Sequence, residues 1–266
     1  MPLIVEILIA FLTQVAFTVG IIWLFGFLIS LCNRIFYGSF GILSQPLCYI
    51  TGFIGTPVHE CAHALFCLIF GHRIDEMALF QIDSDDGTLG YVKHSYNPRN
   101  VYHLIGNFFI GIAPIVVITA ILHILSSFLV PDMLSTVLTQ IRGINLEVGF
   151  SENLPNLFGI FTAMFAEVGN YKFWIFFVIA IFLCLHMTLS GADIKNALGG
   201  VGILVGALLV TDIIVGLISK TALDSITSFT IFIGGYLASF LAFAFIISFI
   251  AMVFSLIFRM IFRRIL

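Results

Sequence analysis

Two histidines and a glutamate fall within five residues at His59-Glu60-Cys61-Ala62-His63. On a helix, His59 and His63 are four residues apart and project from one face, so both imidazoles can reach one metal ion. Glu60 lies about 100° round the helix from His59, where it can address a metal-coordinated water without ligating the ion. With zinc in place the chemistry is hydrolysis. The ion acidifies a water, Glu60 takes the proton, and a polarised carbonyl is attacked. The chain has seven His, and random ordering of its composition yields this pattern only about 0.4% of the time, which makes chance a poor explanation.

The elements that must position these residues are set by composition. The 266 residues are 61% hydrophobic and 9% charged, and 30 are Phe. Soluble domains average about 45–50% and about 25%. So little charge cannot cover a soluble globule, and a net charge of −3 with no basic block excludes a nucleic-acid binder. The sequence offers six apolar stretches long enough to cross a bilayer, at residues 3–31, 40–70, 101–130, 171–189, 198–218 and 226–258. None alternates with period two as a membrane β-strand would. The expected fold is an all-α polytopic membrane protein, a single membrane-embedded domain over residues 1–266. The first stretch lacks a basic flank and an Ala-x-Ala site, so it reads as a retained span. Five scattered Cys are an odd count and suit packing positions better than a disulfide framework.

With six spans both termini share one side. That side carries Arg73, Lys93, Arg99, Lys195, Arg259, Arg263 and Arg264, against Arg34, Arg142, Lys172 and Lys220 on the other. The bias favours cytoplasmic termini. Between the second and third spans, the runs 76–82 and 88–92 flank Asp85-Asp86-Gly87 and read as a small β-hairpin. Between the third and fourth, residues 131–170 carry apolar positions (Met133, Leu134, Val137, Leu138, Ile141; Phe158, Phe161, Phe165) that suit interfacial helices.

The His-Glu-x-x-His run belongs to the second span, where two buried histidines bonded only to neighbouring polar groups would be costly without a cation. Pro57 fits a first helical turn and Thr56 a cap. Pro46, Gly52 and Gly55 lie upstream, and a straight helix over 40–70 would be about 46 Å long. A break near residues 52–56 is expected, with a shorter helix carrying the histidines and a path for water. The metal would then lie inside the bilayer, toward the cytoplasmic face.

The run Gly55-Thr56-Pro57-Val58-His59-Glu60-Cys61-Ala62-His63-Ala64-Leu65 resembles the metal-binding helix of the site-2 protease family of intramembrane zinc metalloproteases. Gly71 after the helix, a hairpin ending Gly90-Tyr91-Val92, and Gly111-Ile112-Ala113-Pro114 in the next span are similar in turn. The resemblance covers residues 55–196. It implies a catalytic core at about 40–196, with the spans at 3–31, 198–218 and 226–258 as additions. It implies one zinc per chain and a third ligand, an Asp at the end of a later span. The matching position is Asp193 in Leu189-Ser190-Gly191-Ala192-Asp193-Ile194-Lys195, although the family's Asp is typically followed by Gly and here by Ile194. The residues alone leave Asp193 readable as a cap of the fifth span. The resemblance further implies a membrane-anchored protein substrate cut in or near its transmembrane segment. A transmembrane helix hides its amides in its own hydrogen bonds and must unwind first, and the edge of the hairpin offers a place to hold the unwound stretch.

Other polar residues score lower. Asn107 and Tyr91 are candidates for contacting substrate, although Asn107 serves equally as interhelical glue. Glu147, Glu152 and Glu167 fall on the side opposite the expected site. Asp75 and Glu76 read as solvated, and His72, His94 and His103 as interfacial. His186 reads as a bonded bundle histidine, His123 and Glu6 as polar residues facing other helices or the interface, and Asp212 as lying near the outer end of the fifth span. Gly202 and Gly206 read as a close-packing step. Two other functions stay open: a membrane metallohydrolase acting on a lipid, and a non-catalytic metal-binding protein or transporter. Association between copies is also left open.

Overall fold

The computed structural model describes residues 2–82, 84, 87–144 and 150–262. Asp85 and Asp86 of the expected hairpin turn, Glu147, and Arg263 and Arg264 lie outside them.

The chain is a helical bundle carrying one two-stranded sheet. Helix α1 (Leu3–Val15) runs through a π turn (Ala16–Gly20) into α2 (Ile21–Gly38), making one apolar rod of 36 residues. A short 3-10 turn (Gly41–Leu43) leads to α3 (Ser44–Ile69), which carries the His-Glu-x-x-His run. Strands β1 (Arg73–Ala78) and β2 (Tyr91–Ser95) follow, then α4 (Val101–Leu129), α5 (Pro131–Arg142) and α6 (Phe150–Ala163). The last helices are α7 (Tyr171–Leu185), α8 (Gly191–Ile218) and α9 (Lys220–Ile261).

Among the described residues, five helices are long and apolar enough to cross a membrane: Leu3–Gly38, Gly41–Ile69, Val101–Leu129, Gly191–Ile218 and Lys220–Ile261. Their outer surfaces leave Ile4, Phe27, Phe53, Phe128, Ile218 and Met260 exposed, as a lipid-facing surface requires. The fourth expected span differs. Its helix, α7, has only 15 residues, about 22 Å against roughly 30 Å of hydrocarbon. The helix stops at Leu185, and the chain re-enters helix at Gly191, seven residues before the expected start of the next span. Ser190 is the reason. Its hydroxyl accepts from the Asp193 amide (3.1 Å) and the Asp193 carboxylate accepts from the Ser190 amide (2.7 Å), a reciprocal cap that starts α8.

The break expected near residues 52–56 is absent, and Thr56 lies inside α3 and not at its end. Helix α3 is continuous for 26 residues with Pro57 inside it. Gly52 and Gly55 serve close approach instead. A Cβ at Gly55 would lie 2.6 Å from both the His186 ring and the Phe182 carbonyl, and one at Gly52 would lie 2.7 Å from Leu89. The helix ends where expected, at Gly71. With φ of 70°, Gly71 turns the chain so that the His72 amide donates back to the Cys67 carbonyl at 2.8 Å.

The hairpin is present but sits closer to the bundle than the apolar pattern suggests. β1 begins two residues after Gly71, and Ala78 pairs with Tyr91, Glu76 with Lys93 and Arg73 with Ser95. Beyond the strands the pairing continues through Gln81, whose amide donates to Leu89 O at 2.7 Å.

Helix α4 is apolar on every side and occupies the centre, packed against α3, α7 and α8. Ile110, Ile112, Ile115, Ile118 and Leu122 are fully enclosed. Close packing of α4 on α8 rests on Gly111 and Gly200. A Cβ at Gly111 would meet Asp193 O at 2.5 Å, and one at Gly200 would meet Phe108 N at 2.5 Å. The Gly202–Gly206 step has no such role, because nothing lies within 4 Å of a Cβ at either position. Met133, Leu134 and Val137 of α5 are buried in the main core, and all five Cys are free.

Candidate metal centre

Two helices bring the three side chains together. His59 and His63 lie on adjacent turns of α3, and Asp193 lies in the first turn of α8. One ligand atom from each falls within 4.8 Å of the others. The Nε2 atoms of the histidines are 3.1 Å apart. His63 Nε2 is 3.2 Å from Asp193 Oδ1, and His59 Nε2 is 3.8 Å from Oδ2. His63 and Asp193 are buried.

The histidine rings are aimed by backbone carbonyls. His59 Nδ1 lies 2.9 Å from His186 O, and His63 Nδ1 lies 2.8 Å from Ile110 O. A carbonyl only accepts, so each Nδ1 carries the hydrogen and each neutral ring turns its Nε2 lone pair inward. Two lone pairs 3.1 Å apart, beside a carboxylate, repel unless a cation sits among them. The donor set of two imidazole nitrogens and a carboxylate oxygen is one that zinc takes. Bonds of about 2.0–2.1 Å in a tetrahedron put neighbouring ligand atoms about 3.3 Å apart, close to the separations found here. The residues therefore fit a zinc-type ion.

Why these two carbonyls are free follows from the sequence. Pro114 has no N–H to offer the carbonyl four residues before it, so Ile110 O lacks its usual helical donor and accepts from His63 instead. At the end of α7 the regular helical pairing stops, with the Met187 amide donating to Cys184 O at 3.2 Å, and the last carbonyls take side-chain donors as well. Asn33 of α2 donates to Cys184 O (2.8 Å) and Leu185 O (3.1 Å), and His59 takes His186 O. The Gly111–Asp193 approach is next to Ile110, so consecutive residues of α4 place both His63 and Asp193. Sequence patterns do not mark these carbonyls. Pro114 was the available signal for one of them. The Ser190-x-x-Asp193 pattern was the signal for the turn that carries the carboxylate. Cap and ligand are compatible roles, since Oδ2 accepts from Ser190 while Oδ1 faces His63.

Glu60 is buried beside the centre. With His59, Thr56, Leu89, Gly90 and His186 it lines a cleft of about 390 Å³. A Cβ at Gly90 would lie 2.7 Å from Glu60 Cγ, so the hairpin passes directly against the glutamate. The His186 ring packs on α3, near Tyr37 Oη (3.2 Å), Thr51 Oγ1 (3.0 Å) and Thr56 Oγ1 (3.3 Å).

The remaining candidates lie elsewhere. Tyr91 donates its hydroxyl to Glu76, which also binds Lys93 at 2.7 Å, and Lys93 holds the Glu76 carboxyl below its ordinary value. Asn107 is buried on α4 with its Oδ1 unpartnered among the described residues, and it is not among those lining the cleft. Glu167 accepts from the Met133 amide. Asp212 is fully buried and accepts from Gln14 at 2.8 Å, while Lys220 pairs with Glu6 at 2.7 Å. His123 meets Tyr236 Oη at 2.5 Å. His72, His94 and His103 form a cluster of their own. Asn196 Nδ2 lies 3.4 Å from His94 Nε2, His94 Nδ1 lies 3.0 Å from His72 Nδ1, and His72 Nε2 lies 2.9 Å from His103 O.

No family model, curated protein or solved structure matches this chain.

Proposed function

We propose that this chain is an intramembrane metal-dependent endopeptidase that cuts peptide bonds in or near transmembrane segments, in the manner of the site-2 protease family it resembles. The observation that carries the reading is the inward convergence of His59 Nε2, His63 Nε2 and an Asp193 oxygen beside an acid that is not a ligand, Glu60. His59, His63 and Asp193 would hold one zinc ion, which when bound supplies a Lewis acid for a carbonyl and lowers the pKa of water. The Glu60 carboxylate accepts the proton of the attacking water and passes it to the departing amide nitrogen. Burial of Glu60 between α3 and Gly90 keeps bulk water from competing for that proton. His186 O and Ile110 O hold the imidazole rings in one tautomer.

The substrate reading rests on the surroundings. The site is carried by helices long and apolar enough to cross a membrane, which suits a substrate that is itself a membrane segment. Leu89 and Gly90, leading into β2, form one wall of the cleft, where an unwound segment could lie along the backbone. The test is cleavage of a membrane-helix reporter by the purified, zinc-loaded chain in lipid nanodiscs. Wild type should cut, and Glu60→Gln should lose about 10²–10⁴-fold in rate while keeping its metal. Equal rates in the two proteins would overturn the assignment of Glu60. A zinc-loaded wild type that cuts no membrane reporter but hydrolyses a lipid, or moves metal across the bilayer, would overturn the peptidase reading.

A further inference from the structure

Arg34, which the six-span charge count places on the side opposite the metal, instead lines the cleft and is its cation. It lies on α2 one turn after Ser30, and both line the same 390 Å³ space as His59 and Glu60. Among the described residues no carboxylate lies within ion-pair distance of its guanidinium. Arg34 is exposed near the end of α2, so its guanidinium stands at the edge of the cleft and within reach of a partner from outside. A planar guanidinium matches a carboxylate with two parallel hydrogen bonds.

A second observation says what accompanies that carboxylate. Arg34 also lines a neighbouring space of about 280 Å³ walled mainly by Trp23, Phe27, Leu31, Leu189 and Ile194. Ser30, Arg34 and Leu189 belong to both spaces, so the polar cleft and the apolar pocket meet at the guanidinium. The helix beneath is fixed in register by Asn33, which is 1% exposed and holds two carbonyls at the end of α7. A peptide segment laid through the two spaces would place apolar side chains on one side of Arg34 and its cleaved backbone on the other.

We propose that Arg34 is a specificity-determining residue, selecting membrane segments in which a carboxylate side chain stands between an apolar run and the scissile bond. This rests on the peptidase reading. The test uses the full zinc-loaded chain and a reporter series in which a single Asp, Asn or Lys is moved along the flank of the cut site. At one register, wild type should cut the Asp reporter at least roughly tenfold faster than the Lys reporter. Arg34→Gln should lose that preference, Arg34→Lys should recover part of it, and Arg34→Glu should reverse it toward Lys. Zinc content equal to wild type in each variant shows that the centre is intact. If Arg34→Glu fails to fold, the contrast between Arg34→Gln and Arg34→Lys decides. The same ranking in wild type and in the folded variants would overturn the inference while leaving the peptidase reading standing. A ranking that follows the anionic lipid content of the nanodisc, and not the reporter's residue, assigns Arg34 to a lipid headgroup and overturns it too. A wild type that cuts no reporter at all removes the peptidase reading and this inference with it.

Discussion

His63 and Ile110 are joined across the α3–α4 interface by a 2.8 Å hydrogen bond from the imidazole Nδ1 to the main-chain carbonyl. The carbonyl is available because Pro114, one turn further along α4, brings no N–H to it. A helix-breaking residue thus frees the carbonyl that orients the His63 ring.

Pro114→Ala returns a backbone N–H that competes with His63 for Ile110 O. Removing an orienting partner of this kind costs about 10–100-fold in metal affinity. The variant should therefore bind zinc about that much more weakly in a chelator competition, while its unfolding temperature stays level or rises because the helix gains a hydrogen bond. Unchanged zinc affinity would mean that Ile110 does not set the ring.

Gly90→Ala tests the contact between hairpin and acid. The new Cβ would stand 2.7 Å from Glu60 Cγ and 2.8 Å from Thr56 Cγ2. Overpacking of this kind costs about 1–3 kcal/mol, relieved by shifting the hairpin or turning Glu60. Misplacement of a reacting group by about 1 Å can lower turnover by about 10²-fold. Reporter cleavage should fall steeply while zinc content stays at wild-type level, and a loss of zinc with preserved turnover per bound ion would contradict this. Gly202→Ala, with open space around it, is the control and should change neither.

The histidine cluster makes the protein's stability depend on pH. Burial, reinforced in His94 by the neighbouring His72 and His63, holds the His72 and His94 imidazoles below the ordinary value of 6.5. His103 opposes this at His72 through its carbonyl and adds to it through its ring, while Asp75 opposes it at His94. Below about pH 6.5 the unfolded chain then binds more protons than the folded one. The contribution is fully present above that pH and is lost as the pH falls toward the folded-state values. The bonds agree with this, since His72 donates to His103 O, leaving its Nδ1 to accept from His94, whose Nε2 faces the Asn196 amide. Thermal unfolding should therefore show lower stability near pH 5.5 than near pH 7.5. His94→Gln should flatten that slope, and an identical slope in the variant would remove the cluster as its source.

The sequence carries the parts of this arrangement that depend on period and composition. The helix repeat places His59 and His63 on one face, and Gly71 marks the end of their helix because a positive φ is needed there. Apolar composition reveals a membrane bundle but overstates α7, whose hydrophobic run continues to Leu189 although its helix stops at Leu185. Hydropathy does not register a reciprocal cap, and Ser190 with Asp193 starts the next helix early. Gly52, Gly55 and Pro57 suggest a break because local propensity is all that sequence displays. In the fold the glycines make room for His186 and Leu89, and packing keeps the helix whole. The carbonyls of Ile110 and His186 are backbone atoms, which every residue possesses, so only their neighbours (Pro114, and the end of an apolar helix) give any hint of them.

In the proposed function His59, His63 and Asp193 hold one zinc ion, and Glu60 stands beside it without ligating it. Zinc per chain, measured by elemental analysis on wild type, Glu60→Gln and Asp193→Asn purified in parallel, tests this most directly. Wild type and Glu60→Gln should each carry one zinc, and Asp193→Asn should lose most of it. Full zinc occupancy in Asp193→Asn, or loss of zinc in Glu60→Gln, would contradict it.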